Sequence, residues 1–285
     1  MKKIQKALTA AAFLAVGAAS QATAGVVSAG GIQWDTVPLD GQASMNATVN
    51  YQQWFTLGQY GTKNGVFVID EDSNDFAEDA NENPLLGVGQ LTGLGVFKSL
   101  SDKRNPLSPS FCVAGANECE LTFEFGGLIP QANGTFDFSQ GWLNVYRDDG
   151  PSISDITTGT TGPGTFGLAA GSDSYKDFKK TQNGILWASF KFDFFDFTPF
   201  DSSNPFNAGS ADAGLSVVGG IPEVVQALNF NDGVHDLFFT SETQFLNQPY
   251  SLTATASITS VNSPATIGFM GLAMVLIGGL TRKRA

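Results

Sequence analysis

The densest run of oxygen ligands in the chain is Asp70-Glu71-Asp72-Ser73-Asn74-Asp75-Phe76-Ala77-Glu78-Asp79, with Glu82 close behind. Side-chain oxygens at alternate positions, here Asp70, Asp72 and Asn74, can turn inward around a hard cation such as calcium. An EF-hand loop needs glycine at its sixth position and glutamate at its twelfth; counted from Asp70 these are Asp75 and Asn81. The stretch therefore reads first as a solvated acidic loop. A calcium site built on Asp70, Asp72, Asn74 and Asp75 is the alternative, and no other cofactor is called for.

Other reactive types are sparse. Cys112 and Cys119 are the two cysteines, separated by Val113-Ala114-Gly115-Ala116-Asn117-Glu118, a segment that can turn. In an oxidising compartment such a pair is expected to form a structural disulfide, and with no histidine between them metal binding is disfavoured. The sole histidine, His235, sits in Asp232-Gly233-Val234-His235-Asp236-Leu237, which reads as a turn entering a strand. A serine triad would have to use it, and no Gly-x-Ser-x-Gly elbow accompanies it. Glu118, Glu120, Glu124, Asp193 and Asp196 could supply the paired carboxylates of a glycosidase. With 27 acidic residues in the chain, however, accidental pairs are expected. The reading is therefore not an enzyme. For binding, sugars stack on flat rings, and Trp54, followed by Tyr60, is the candidate exposed platform; Trp142 and Trp187 fall in predicted strands and read as core or sheet-face aromatics.

The elements that would hold these residues are strands. Leu121-Thr122-Phe123-Glu124-Phe125, Phe190-Lys191-Phe192-Asp193-Phe194 and Leu252 to Thr259 alternate apolar with polar side chains, the two-residue period of a pleated sheet with one wet face. Further strands are read at Val66 to Ile69, Leu91 to Lys98, Gly134 to Phe138, Trp142 to Tyr146, Ile185 to Ser189 and Leu237 to Thr240. Apolar residues make up 42% of the chain, with 24 Phe, while 33 Gly and 12 Pro supply the turns that favour many short strands over long helices. Only Asp173 to Lys180 hints at a helix, and the Thr157 to Gly164 stretch of Thr, Gly and Pro reads as a hinge. With no internal repeat, the expected fold is all-β, an antiparallel β-sandwich of jelly-roll type spanning residues 25–260.

Both ends carry export features. Residues 1–24 present a basic start at Lys2, Lys3 and Lys6, an apolar stretch from Ala7 to Ala19, and a small-residue cleavage site at Ala22-Thr23-Ala24, so that Gly25 becomes the N-terminus after signal peptidase acts. All 27 acidic residues lie between the ends, whereas six of the fifteen basic ones lie in them, so the body carries nine positive charges against 27 negative. That balance opposes nucleic-acid binding, which depends on neutralising phosphates. At the other end the apolar run 265–280 would form a short transmembrane helix of about 24 Å against a hydrocarbon core of about 30 Å. Arg282, Lys283 and Arg284 after it would stay on the cytoplasmic side and leave the body outside.

The arrangement of Val261-Asn262-Ser263-Pro264-Ala265-Thr266, a short apolar helix and a terminal basic cluster resembles the PEP-CTERM sorting signal recognised by exosortases, with Ser263-Pro264-Ala265 standing where that family has Pro-Glu-Pro. The opening Gly25-Val26-Val27-Ser28-Ala29-Gly30-Gly31-Ile32-Gln33-Trp34-Asp35 is similar to the start of surface proteins that carry such tails. The resemblance implies that the 261–285 tail tethers the protein to the inner membrane until an exosortase-type transpeptidase cleaves near Ser263-Pro264-Ala265. The body then passes to the cell surface or extracellular matrix, in bacteria that often make exopolysaccharide. The expected role is structural or adhesive in envelope or biofilm. A lectin-like, calcium-dependent glycan-binding module comes second, and a polysaccharide hydrolase last.

Overall fold

Aromatic and β-branched side chains at every second position make a strand with one face that must leave water, and this chain buries those faces by curling its sheet around them. The computed structural model describes residues 26–35, 37–39, 42–44, 46–100, 120–148, 178–229, 235–244 and 254–260. In chain order the strands are β1 (Val26–Ala29), β2 (Ile32–Asp35), β3 (Val37–Leu39), β4 (Gln42–Ser44), β5 (Asn46–Thr56), β6 (Gly61–Lys63), β7 (Val66–Val68), β8 (Gln90–Leu100), β9 (Glu120–Pro130), β10 (Phe136–Asp137), β11 (Trp142–Asp148), β12 (Ile185–Pro199), β13 (Ala208–Gly220), β14 (Leu237–Gln244) and β15 (Ala254–Ser260). Three short helices intervene: α1 (Glu71–Asn74), α2 (Phe178–Thr181) and α3 (Pro222–Leu228).

A nine-stranded antiparallel sheet dominates. Its long strands pair in chain order, β5 with β8, β8 with β9, β9 with β11, and so on through β12, β13 and β14 to β15, which returns to pair with β5. Only β10 stands outside this ring, on the end of β9. The antiparallel all-β expectation stands. The sandwich arrangement does not emerge from the pairings, which form one up-and-down sheet closed on itself instead of two stacked sheets. Closure leaves these strands no free edge, and opposite walls still pack face to face, so a sandwich and a barrel write the same alternation into the sequence.

The lumen is filled with side chains. Tyr51, Phe123, Phe125, Leu143, Phe192, Phe195, Leu215 and Phe239 converge there around a residual cavity of about 30 Å³, enough for a water or two and no more. One pole is sealed by rings: Phe136 meets Phe55, Phe195, Phe197 and Phe206 at centroid distances from 5.2 to 6.5 Å. The other is plugged by the β1–β2 hairpin and α3. Ile32 and Trp34 are buried there, Trp34 packs edge-on against Trp187 at 6.1 Å, the Gly30 N–H donates to Glu223 Oε1 at 2.8 Å, and Arg147 donates to the Gly30 carbonyl.

Two expectations shift in register. Residues 185–189 and 190–194 belong to one long strand, β12, and an irregularity between Phe192 and Phe194 reverses its facing. Phe190 and Phe192 point inward as expected, but after the bulge Phe195 takes the interior and Phe194 turns out against His235 and Phe238. The segment 134–138 reduces to the two-residue β10. No described helix is long and apolar enough to cross a membrane. The expected signal peptide 1–24, Cys112 and Cys119, the 157–164 stretch and the expected sorting tail 261–285 lie outside the described residues.

Candidate functional site

The outward face of β9 departs most from expectation. Alternation assigns Thr122 and Glu124 to a wet face, yet Thr122 is 2% exposed and Glu124 fully buried. The cause is a cover. The outward side chains Trp54 of β5, Leu94 and Val96 of β8, and Trp142 of β11 form a second apolar core with Ile69 and Phe178. Over it lie the β6–β7 hairpin, α1 and α2.

Glu124 sits beneath this cover and accepts hydrogen bonds from three elements. The Tyr146 hydroxyl of β11 donates to Oε1 at 2.6 Å, while Gln182 Nε2, just after α2, and the Ile69 N–H, just after β7, donate to Oε2 at 2.8 and 3.1 Å. Gln182 also donates to the Ile69 carbonyl at 2.8 Å. Nearby, Asn144 donates to the Phe67 carbonyl at 2.6 Å and accepts from Ser189 at 2.8 Å, and Lys63 donates to the Gln182 carbonyl at 2.8 Å. The strand pairings of β6 and β7 are with each other. The contact of β7 with the barrel wall therefore runs through these side chains, with no strand ladder.

Burial penalises the charged carboxylate and pushes Glu124 up to about 7, against Tyr146, Gln182, the Ile69 N–H and Asn144, which favour the ion. Burial, reinforced by the neighbouring Glu124 charge, holds the Tyr146 hydroxyl neutral far above its ordinary range. Beside Tyr146 a cavity of about 240 Å³ opens between the hairpin and the start of β12, walled by Lys63, Asn64, Val66, Tyr146, Ile185 and Leu186. As a carboxylate ringed by donors on both of its oxygens, Glu124 can fasten the cover.

The residues singled out from sequence fall elsewhere. Asp70 caps α1, its Oδ1 accepting from the Asp72 and Ser73 N–H groups at 3.1 Å, and Ser73 reciprocates on the Asp70 N–H at 2.9 Å. Asn74 is buried while Asp72 and Asp75 are exposed, and no group of three or more His, Cys, Asp or Glu among the described residues could hold a metal ion. Further along, Asp79 closes a turn on the Asn81 and Asn83 N–H groups, and the Asn83 side chain leads in holding its carboxyl below the usual range. Asp70 and Asp79 thus hold local turns.

Trp54 is not an exposed platform. It is fully buried, its indole N–H donating to the Ser73 carbonyl at 3.3 Å. Tyr60 packs edge-on against Trp142 at 5.2 Å and accepts the Gly127 N–H at 2.9 Å. The aromatic density around Trp54 belongs to a core, because the cover makes the outer face of β5 interior. His235 rests against Phe194 and Phe238 as a partly buried lone histidine. Of the carboxylates weighed for catalysis, Glu124 is sealed, Asp193 accepts from Ser216 and faces Lys191 at 3.6 Å, and Asp196 is exposed opposite Asp212. Gln182 and Tyr146 were missed: their signal is a polar residue within or beside strand sequence, which alternation assigns to solvent. No protein-family model matches the chain, and no curated protein matches it.

Proposed function

We propose that the chain is an exported, non-catalytic scaffold of the cell surface or extracellular matrix, delivered by a signal peptide and released or retained through its exosortase-type tail. The observation that carries the body's part in this reading is the packed lumen: aromatic side chains leave about 30 Å³, where an eight-stranded barrel that holds a small ligand keeps its interior open. With the two poles closed by the Phe136 cluster and the β1–β2 plug, the body is built as a rigid solid. A surplus of 27 acidic over nine basic residues between the two ends keeps such a particle soluble outside the cell and suits it to weak, multivalent contacts mediated by counter-ions.

Intact-mass measurement of the protein in membrane, surface and released fractions of its native host, with and without the sorting peptidase, tests the route. The expected surface form begins at Gly25 and lacks the residues beyond the Ser263-Pro264-Ala265 motif. A tail present in every fraction would replace sorting by a permanent anchor.

A further inference from the structure

The outer wall of β12, β13 and β14 carries a group of aromatic side chains that the lumen does not use. The irregularity between Phe192 and Phe194 turns Phe194 outward, and a bulge is a means of re-aiming a side chain. Across the sheet Phe194 lies opposite Gly214, and Gly214 opposite Phe238. His235, just ahead of β14, completes the group. Ring centroids stand 5.4 Å apart for Phe194 and His235, 6.0 Å for His235 and Phe238, and 6.2 Å for Phe194 and Phe238. The three rings are partly exposed, and Gly214 is buried under them. A Cβ at that position would collide with Phe194 and His235, so glycine lets the rings converge.

Carboxylates stand beside the rings. One step along the same strands, about 7 Å away, Asp196 lies opposite Asp212, and Asp212 opposite Thr240; all three are exposed. Like charges directly opposite each other destabilise a sheet. The three strands carry one basic residue, Lys191, and it faces Asp193 at 3.6 Å. Folding therefore sets an aromatic triangle next to two opposed carboxylates that receive no counter-charge from their own strands.

We infer that this face is a binding site for an organic cation, an ammonium or guanidinium group whose charge is shared by Asp196 and Asp212 while its apolar body lies on Phe194, His235 and Phe238. The rings attract a cation through their π faces. A cation between the carboxylates also removes the repulsion that the opposed pair carries. A hard inorganic ion is the poorer fit: calcium takes roughly six to eight oxygens, and no group of three or more His, Cys, Asp or Glu among the described residues could hold a metal ion. A neutral sugar could stack on the rings but would leave the repulsion in place. Anions are kept off by the surplus of acidic over basic residues in the body. The inference deepens the scaffold reading, on which it rests only for location: it names cationic groups as what this surface contacts.

The chain holds a single histidine, so the Hε1 proton of His235 reports on the site in the NMR spectrum of the full chain. Titration at constant ionic strength with choline, arginine amide and a tetra-arginine peptide should shift it saturably. Saturation by choline at the lowest concentration points to a free ammonium compound, and saturation by the peptide to a basic polypeptide. Asp212→Asn should weaken the binding on the order of tenfold and raise the urea midpoint, since it removes one of the two opposed charges. Phe238→Ala should weaken binding to a similar degree. The site is overturned if none of the three probes saturates, if sodium or maltohexaose shifts His235 as well as they do, or if Asp212→Asn binds like the wild type. A lower urea midpoint accompanying weaker binding in Asp212→Asn would make the aspartate a structural residue and overturn the site too. The route of export is read separately from the intact-mass fractions, so the failure of one reading is distinguishable from the failure of the other.

Discussion

Glu124 ties pH to stability with a definite sign. The folded carboxyl keeps its proton up to about 7, while the unfolded one releases it near 4.5. Between those values the folded state binds more protons, so stability is fullest below the lower value and falls as pH rises through the higher one, by about 3 kcal/mol in all. Urea midpoints measured from about pH 4.5 to 8 should show this decline. Tyr146→Phe should lower the midpoint further above pH 7, where its hydroxyl serves a charged acceptor, by about 2 kcal/mol; an equal cost at both ends of the range would mean that Glu124 does not ionise in the folded state. None of this was visible as a site in the sequence. Glu124 occupies the polar phase of a clean alternation, and a carboxylate there looks solvated until the segment 57–78, far away in neither pattern nor hydropathy but unassigned in space, is laid over it.

At the scale of elements, the legible strands were those whose large side chains alternate, such as 121–125 and 142–146. Besides β5 and the short β1 to β4 and β6, the strand that escaped is β13, Ala-Gly-Ser-Ala-Asp-Ala-Gly-Leu-Ser-Val-Val-Gly-Gly, whose small residues carry little β-propensity. Its reason is supplied by partners: Phe194 covers Gly214 and Phe197 covers Gly209. The same device joins β8 and β9, where Gly93 and Gly95 lie opposite Phe125 and Phe123. A methyl group at Gly93 would stand 2.6 Å from the Phe125 ring, well inside contact distance. Gly93→Ala should therefore destabilise by about 1 to 3 kcal/mol, read from the urea midpoint. Were it neutral, the Gln52 backbone, whose carbonyl oxygen would stand 2.4 Å away, and the Phe125 ring would both have to shift at no cost. Bulky rings set against glycine are a property of pairs of strands, and a single strand read alone carries half of each pair. The bulge beyond Phe192 is of the same kind, since the pattern Phe-Lys-Phe-Asp-Phe gives no sign that the third ring changes sides.

For the whole molecule, antiparallel all-β architecture followed from composition and periodicity, but closure did not, because it is made by the pairing of β15 with β5 across most of the described chain. The β1–β2 plug was likewise seen only as the opening of the mature body. With Trp34 wedged against Trp187 under it, Trp34→Ala should cost about 3 to 5 kcal/mol, measured by denaturant unfolding. A small effect would show that the barrel is indifferent to its plug.

The position of β15 has a mechanical consequence. Its last residue, Ser260, leads straight into the tail, and the strand is paired on one side with β14 from Leu237↔Ser260 to Ser241↔Ala256 and on the other with β5 from Tyr51↔Ala254 to Asn46↔Thr259. Tension that pulls on the tail while the opposite pole is held runs along β15, so both ladders are loaded in shear and their hydrogen bonds must yield together, not one after another as in peeling. Under the proposed tethering, traction along β15 would meet both ladders at once.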